Sequence, residues 1–422
     1  MKRVIVPILM VLQILPLCAQ ESNVFRVETL VAEALSSNPE LKFYEAEIDI
    51  AKSARRVAQA WENPELSASV GRRTVRAGGL NSEGIAWSVS LLQPFEWPGR
   101  LSLRKAIANR EIQLAELGME RFRIALGGQV RTRAFELFAA QEKEMAARDV
   151  AERIRSLREV VVQRDPAGLT PLLETRVIEA TELNAQRRAS DALLARQRAL
   201  LDLNRLRGLP PETTIHVASA ALAFRPLTNR TWLVALAETN NFELRFRQAE
   251  LEQQEIRVQL TRNERFPTLA LGPTFSEENA GGERERMAGI AVTLPLPIWK
   301  RNAGEIGAAT SRQVQAEVSL RMFQRELESR IAAAASAYEI KRREMLNWRP
   351  DSIRHFQEAA ELADRHYRLG AVSVSTYLEL QKQYLEAVEG LLETQHEALS
   401  AALEIELLTG LTPSLILLGE QR

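Results

Sequence analysis

The chain has 422 residues, 45% hydrophobic and 26% charged, with 55 basic side chains balanced by 55 acidic ones. That apolar fraction excludes a disordered polypeptide, and a net charge of zero offers neither a basic surface for nucleic acid nor a solvating acidic tail. The length admits two or three ordinary domains or one elongated assembly.

Lys2 and Arg3 precede an apolar run from Val4 to Leu17, and Leu17-Cys18-Ala19 places a small residue at a cleavage position. The run is shorter than the ~20 residues a membrane-spanning helix needs. Residues 1–19 are therefore expected to be an export signal, with the mature chain starting near Gln20. Cys18 is the only cysteine, which excludes an internal disulfide or a thiolate metal site. It is a candidate lipid-attachment position, but Leu17 stands where such signals want Gly, Ala or Ser, so removal with the signal is the expected fate. Beyond Leu17 no stretch is long and apolar enough to cross a membrane as a helix; residence in a membrane would require strands closed into a barrel.

The first unit, 20–208, opens with a helical segment and then two stretches of period-two alternation, near 64–75 and 84–95. Leu66, Ala68 and Val70 alternate with Ser67, Ser69 and Gly71, and Ile85, Trp87, Val89 and Leu91 alternate with Ala86, Ser88 and Ser90. Two long helices are predicted over 99–163 and 171–207, because no proline interrupts either and both are rich in Ala, Leu, Glu, Arg and Gln. A helix of about 60 residues would reach roughly 90 Å, which implies a coiled-coil-like or helical-barrel assembly. Residues 209–232, with Pro210, Pro211 and Pro226, form the link to a second unit, 233–422. Its alternating stretches lie near 267–276 and 286–296, and its long helices are predicted over 302–366 and 374–409.

The two units are written alike. Leu30-Val31-Ala32 recurs as Leu233-Val234-Ala235, Asn38 as Asn241, and Pro64 as Pro267, in one register. Trp97 then matches Trp299, Gly168 matches Gly370, and Gly208-Leu209 matches Gly410-Leu411, with the register slipped by one residue. A register held this far argues for an internal duplication of two large units rather than a stack of short repeats.

The four alternating stretches, each about 10 residues, fit tilted transmembrane strands, and equally a small soluble sheet with one buried face. Four strands cannot close a membrane barrel, for which the smallest count is about eight. The barrel reading therefore requires three chains and twelve strands.

Leu294-Pro295-Leu296-Pro297-Ile298-Trp299-Lys300-Arg301-Asn302-Ala303-Gly304 is similar to the strand-to-helix segment of the cobalt–zinc–cadmium branch of the TolC outer-membrane efflux family. Its first-unit counterpart runs from Gln93 to Arg100, and Tyr367-Arg368-Leu369-Gly370-Ala371-Val372-Ser373 resembles the family's turn between two long helices. The resemblance covers nearly the whole mature chain. It implies a mainly α fold with transmembrane β: a trimeric twelve-stranded barrel, four strands per chain, continued by a long periplasmic α-helical barrel. Pro98, Gly99, Pro297, Asn302 and Gly304 would form the strand-to-helix turns. Gly168, Arg368, Gly370 and Ser373 would lie at the periplasmic tips that meet an adaptor, the membrane fusion protein. Counting from the tip glycines as the family does gives Glu174, Thr376 and Glu379 as candidate lumen or gate residues. Thr376 departs from the family's usual aspartate, while threefold rings of Glu174 and Glu379 would favour cations.

No active site is legible. His216, His355, His366 and His396 form no HExxH pattern or Cys/His cluster, and no Gly-rich phosphate loop follows a strand. The expectation is a protein that is not an enzyme and holds no cofactor or metal. It would act as a passive exit duct in the outer membrane, contacting its lipid and driven by an inner-membrane pump of the resistance–nodulation–division (RND) class that exports metal cations or small toxic compounds. A type I protein secretion duct shares the fold and remains open, and so does a soluble periplasmic coiled-coil adaptor.

Overall fold

The computed structural model describes residues 24–77, 80–164, 172–218, 221–227, 229–280, 283–298, 302–349, 351–410 and 416–419. The export signal, Cys18 and Gly168 lie outside the described residues. In chain order the elements are β1 (Val24–Phe25), α1 (Val27–Ser37), α2 (Glu40–Ala58), β2 (Glu65–Ala77), β3 (Leu80–Phe95), α3 (Arg100–Arg164), α4 (Leu172–Arg207) and β4 (His216–Val217). They continue with β5 (Ala221–Phe224), α5 (Arg230–Asn240), α6 (Phe242–Asn263), β6 (Leu269–Ala280), β7 (Glu283–Thr293), α7 (Ala303–Asn347), α8 (Ser352–Arg368), α9 (Val374–Thr409) and β8 (Ile416–Gly419).

One antiparallel sheet, ordered β2-β3-β6-β7, joins the hairpins of both halves. Its register sorts the side chains by face. Leu66 pairs with Leu91, Val70 with Trp87, Val89 with Phe275 and Phe275 with Ala288, so one face is apolar. The other carries Ser67 opposite Ser90 and Ser69 opposite Ser88, their hydroxyls 2.7 and 2.8 Å apart. The strands run further toward the hairpin tips than the alternation near 64–75, 84–95, 267–276 and 286–296 suggested. The reason is cross-strand charge: Arg72 meets Glu83, Arg73 lies between Glu278 and Glu285, and Glu277 takes both Arg284 and Arg286. Such pairs sustain a ladder after apolar alternation has ended.

α3 extends unbroken for 65 residues, about 100 Å. The second half differs. A single helix was predicted over 302–366, but α7 stops at Asn347 and α8 begins at Ser352. Pro350 falls in the interval; proline has no N–H to donate and disfavours helical backbone in the residue before it, so the helix ends ahead of it.

Each half closes on itself through an asparagine. Asn38 donates from Nδ2 to the Leu206 carbonyl at 2.8 Å while its Oδ1 accepts from Glu40 N–H. Asn241 does the same to the Leu408 carbonyl at 2.8 Å and accepts from Leu244 N–H. The chain then leaves the long helix through a glycine in the left-handed region, Gly208 at φ +68 and Gly410 at φ +67. A Cβ at either would lie 2.7 Å from a carbonyl oxygen, that of Ser37 or of Asn240. Around these clasps lie two apolar clusters. One gathers Leu30, Leu126, Val130, Leu137 and Leu203; the other gathers Leu233, Leu327, Ile331, Tyr338 and Ile405.

Gly410→Ala is expected to lower stability by about 2–4 kcal/mol, because the left-handed backbone cost and the clash add. Gly370, at φ +75 with open space around it, should lose only about 1–2 kcal/mol as alanine. Thermal unfolding followed by circular dichroism would compare the two; equal midpoints would contradict the close approach.

Candidate functional site

Three regions carry the candidate residues, and the long helices hold them apart. At the sheet end, Gly99 takes φ +89 and α3 starts at Arg100. The Arg100 guanidinium donates to the Phe266 carbonyl at 2.6 Å, to Thr268 Oγ1 at 3.0 Å and to Asn263 Oδ1 at 3.2 Å. Asn263 Nδ2 donates back to the Pro98 carbonyl at 3.0 Å, and the Trp97 ring stacks on Phe266 with centroids 4.6 Å apart. Strand-to-helix junction and opposite half are thus clamped together. In the second half Asn302 takes the left-handed conformation, φ 54, immediately before α7, where Gly99 stands before α3. Gly304 lies in the first turn of α7, and Ile298 N–H donates to the Leu296 carbonyl across Pro297.

The shaft is tied by charge. Arg196 meets Glu144 at 3.0 Å and Arg158 meets the buried Glu182 at 2.8 Å, both joining α3 to α4. Lys341 of α7 reaches Glu397 of α9 at 2.6 Å, and with Glu344 this holds the ammonium pKa up to about 12.

At the far end, α8 stops in a glycine turn. Gly370 N–H donates to the Tyr367 carbonyl and Ala371 N–H to the His366 carbonyl, both 2.9 Å, the paired bonds that let a left-handed glycine end a helix. Arg368 pairs with Asp364 at 2.9 Å. Ser373 caps α9 by accepting from Thr376 N–H, and the Thr376 hydroxyl lies 3.0 Å from Ser373 Oγ. Thr376 therefore sits in the capping turn of α9, while Glu379, one turn on, is exposed and accepts from Gln383. Glu174 is exposed in the first turn of α4. Behind this surface Tyr377 and Tyr384 are buried among Ile154, Ala360 and Leu385, and burial pushes both phenols above their ordinary range. Arg153 of α3 reaches Glu361 of α8 at 3.3 Å.

Arg100, Arg153 and Arg207 were missed as functional or structural anchors in the sequence, since each finds its partner more than a hundred residues away. The one available signal was the position of Arg100 directly after Trp97-Pro98-Gly99. Among the described residues no group of His, Cys, Asp or Glu is placed to hold a metal ion, and no helix is long and apolar enough to cross a membrane.

A family model described as "Outer membrane efflux protein" matches residues 30–209 and 233–411. The chain belongs to that family. This efflux chain is 23% identical over 410 residues to "Pyoverdine export outer membrane protein OpmQ" of Pseudomonas aeruginosa, covering 89% of this chain and 83% of that one. It is also 23% identical over 391 residues to "Cobalt-zinc-cadmium resistance protein CzcC" of Cupriavidus metallidurans, covering 91% and 90%. Its fold is similar to that of the CmeC outer membrane channel of Campylobacter jejuni, with a TM-score of 0.74 at 17% identity over 91% of this chain and 85% of that one. The chain is an outer-membrane efflux protein whose fold is similar to that of an outer-membrane channel.

Proposed function

We propose that three copies of the chain close their sheets into a twelve-stranded barrel in the outer membrane, with the long helices continuing the pore as a helical barrel. The observation that carries this is the sheet itself. Leu66 (71% exposed), Val70 (80%) and Ile290 (75%) leave its apolar face open, and among the described residues β2 and β7 are the two edges of the sheet. An apolar face wants lipid, and open edges want strands. The opposite, hydroxyl-bearing face then lines a wet lumen.

The duct is passive and joins a periplasmic adaptor and an inner-membrane RND pump, in a chain that arose by internal duplication of one helix–hairpin–long-helix unit. Its cargo is metal cations or small toxic compounds; likeness to a cobalt-zinc-cadmium resistance protein supports the first class, and likeness to a pyoverdine export protein supports export of a compound rather than of a protein. Metal ions here are cargo in transit, consistent with exposed carboxylates such as Glu174 and Glu379 toward the tip.

Protein extracted from outer membranes in mild detergent should have the mass of three chains and form channels in a planar bilayer. In that assay Glu174→Gln and Glu379→Gln should each lower the cation-over-anion permeability ratio, by about two- to threefold, as expected for removing charge from a threefold ring. A monomer without channel activity would overturn the duct, and unchanged selectivity in both variants would remove these carboxylates from the lumen.

A further inference from the structure

The sheet changes character toward its hairpin tips, and it does so differently on its two faces. One transverse row runs through Val70, Trp87, Glu277 and Arg286, each opposite the next on the neighbouring strand. All four share the apolar face. On the helix side of this row that face carries Leu66, Val89, Leu91, Phe275, Ile290 and Val292. On the tip side charge takes over: Arg72 follows Val70 on β2, Glu277 follows Phe275 on β6, and Arg286 and Arg284 precede Ala288 on β7.

Aromatic rings mark both borders of the apolar band. Trp87 lies against Phe275 at the tip side, with centroids 5.4 Å apart, and Trp61 meets Phe95 edge-on at 6.2 Å on the helix side. The eight residues from Trp87 to Phe95 span about 26 Å of β3, which a strand tilt of about 40° reduces to roughly 20 Å. Membrane barrels carry an apolar band about 25 Å tall between two such aromatic girdles. The arginines therefore stand just beyond the band, at headgroup level, in the leaflet away from the helices.

Their charge is in excess. Glu277 takes both Arg284 and Arg286, at 3.3 and 3.0 Å, and Glu83 takes Arg72. Three guanidiniums thus share two carboxylates, and Arg72, Arg284 and Arg286 stay 74%, 57% and 59% exposed. The opposite face has the reverse balance at this level, with Arg73 between Glu278 and Glu285. Holding the hairpins together requires neither the excess nor the difference in sign between faces. A guanidinium is a planar fork that matches phosphate oxygens two at a time.

We infer that Arg72, Arg284 and Arg286 form a phosphate-binding belt around the outside of the barrel. Its occupant is the phosphorylated glycolipid of the outer leaflet, lipopolysaccharide, with its acyl chains along the apolar band and its phosphates on the guanidiniums. This rests on the outer-membrane barrel proposed above and adds the lipid that the barrel holds.

The test is the amount of lipopolysaccharide retained per chain after extraction from outer membranes in mild detergent and repeated exchange into lipid-free detergent. The variant Arg72→Gln/Arg284→Gln/Arg286→Gln should retain at least about fivefold less than the parent, through loss of charge-assisted bonds to phosphate. Arg73→Gln, in the same hairpin but on the other face, should retain as much as the parent. Circular dichroism and a mass like the parent's show that each variant has assembled. A second arm uses the parent alone, stripped of lipid and offered purified lipopolysaccharide before and after removal of its phosphates. Only the phosphorylated form should bind, and excess inorganic phosphate should not displace it. This arm decides the matter even if the triple variant fails to fold. Equal retention by parent and triple variant, or equal binding of the dephosphorylated glycolipid, would overturn the belt and leave the trimer standing. Displacement by inorganic phosphate would overturn the lipid as its occupant. A parent with the mass of one chain would bring down the barrel reading itself.

Discussion

Arg207→Ala is expected to cost about 3–5 kcal/mol, the range for breaking a buried ion pair from one side. Arg207 is 2% exposed, although it lies in the last turn of α4. Its guanidinium donates twice to Glu33 Oε2, at 3.0 and 2.8 Å, and once to Asn204 Oδ1 at 2.9 Å, and it lies over the Phe25 ring at 5.6 Å. One side chain thereby joins α4 to α1 and to β1. Alanine would leave a cavity and strand the Glu33 carboxylate, which keeps only a third of its surface in water. The second half carries uncharged residues at the two corresponding positions. The positions corresponding to Glu33 and Arg207 are Leu236 and Thr409, and the Thr409 hydroxyl donates back to the Ile405 carbonyl at 2.7 Å. The double variant Glu33→Leu/Arg207→Thr should therefore recover most of the loss, since a buried ion pair replaced by packed apolar groups is often neutral. Thermal unfolding of the single and double variants would measure the coupling. A double variant no more stable than the single would contradict this account.

The features legible in the sequence were those set by local chemistry. Serine alternating with leucine and valine in 66–71 and 85–91 could only be read as strands with two unlike faces, and the structure gives them those faces. Proline-free runs of helix formers announced the shaft, and Gly370 announced a helix stop that the structure builds with paired backbone bonds. What escaped was set by partners distant in sequence. The Arg72–Glu83 and Glu277–Arg286 pairs lengthen the hairpins, yet the apolar alternation gave no sign of them. Arg100 reads as an ordinary basic residue at a helix start until Phe266 and Thr268 arrive beside it. The two- to four-residue strands β1, β4, β5 and β8 pair across 190 residues or so and are too short to show any period. Pro350 is a different case. Its signal was present and local, and reading 302–366 as one helix gave the composition of the run more weight than the ring that interrupts it.

That interruption leaves a short, separate helix beside the Gly370 turn. α8 is a 17-residue helix bounded by the break at 348–351 on one side and by the Gly370 turn on the other. A short helix between two breaks can swing as a lever, because the backbone bends at its ends rather than within it. α8 packs mainly on α9, and its Gln381–Ala360 bond at 2.8 Å binds the two as a unit. To α3 it is held by Arg153 and Glu361, 3.3 Å apart and only partly exposed. Reversing one charge, Arg153→Glu, sets two carboxylates against each other beside the buried Tyr377 and Tyr384. The expected loss of about 1–2 kcal/mol in this contact corresponds to a shift of about five- to thirtyfold between tied and released arrangements. In a planar bilayer the variant should spend correspondingly longer in high-conductance states, and Arg153→Glu/Glu361→Arg should return it toward the parent. The restored pair is the decisive arm. If the double variant conducts like the single one, the change arises from misfolding of the tip rather than from a broken tie; if neither differs from the parent, α8 is not held by this pair.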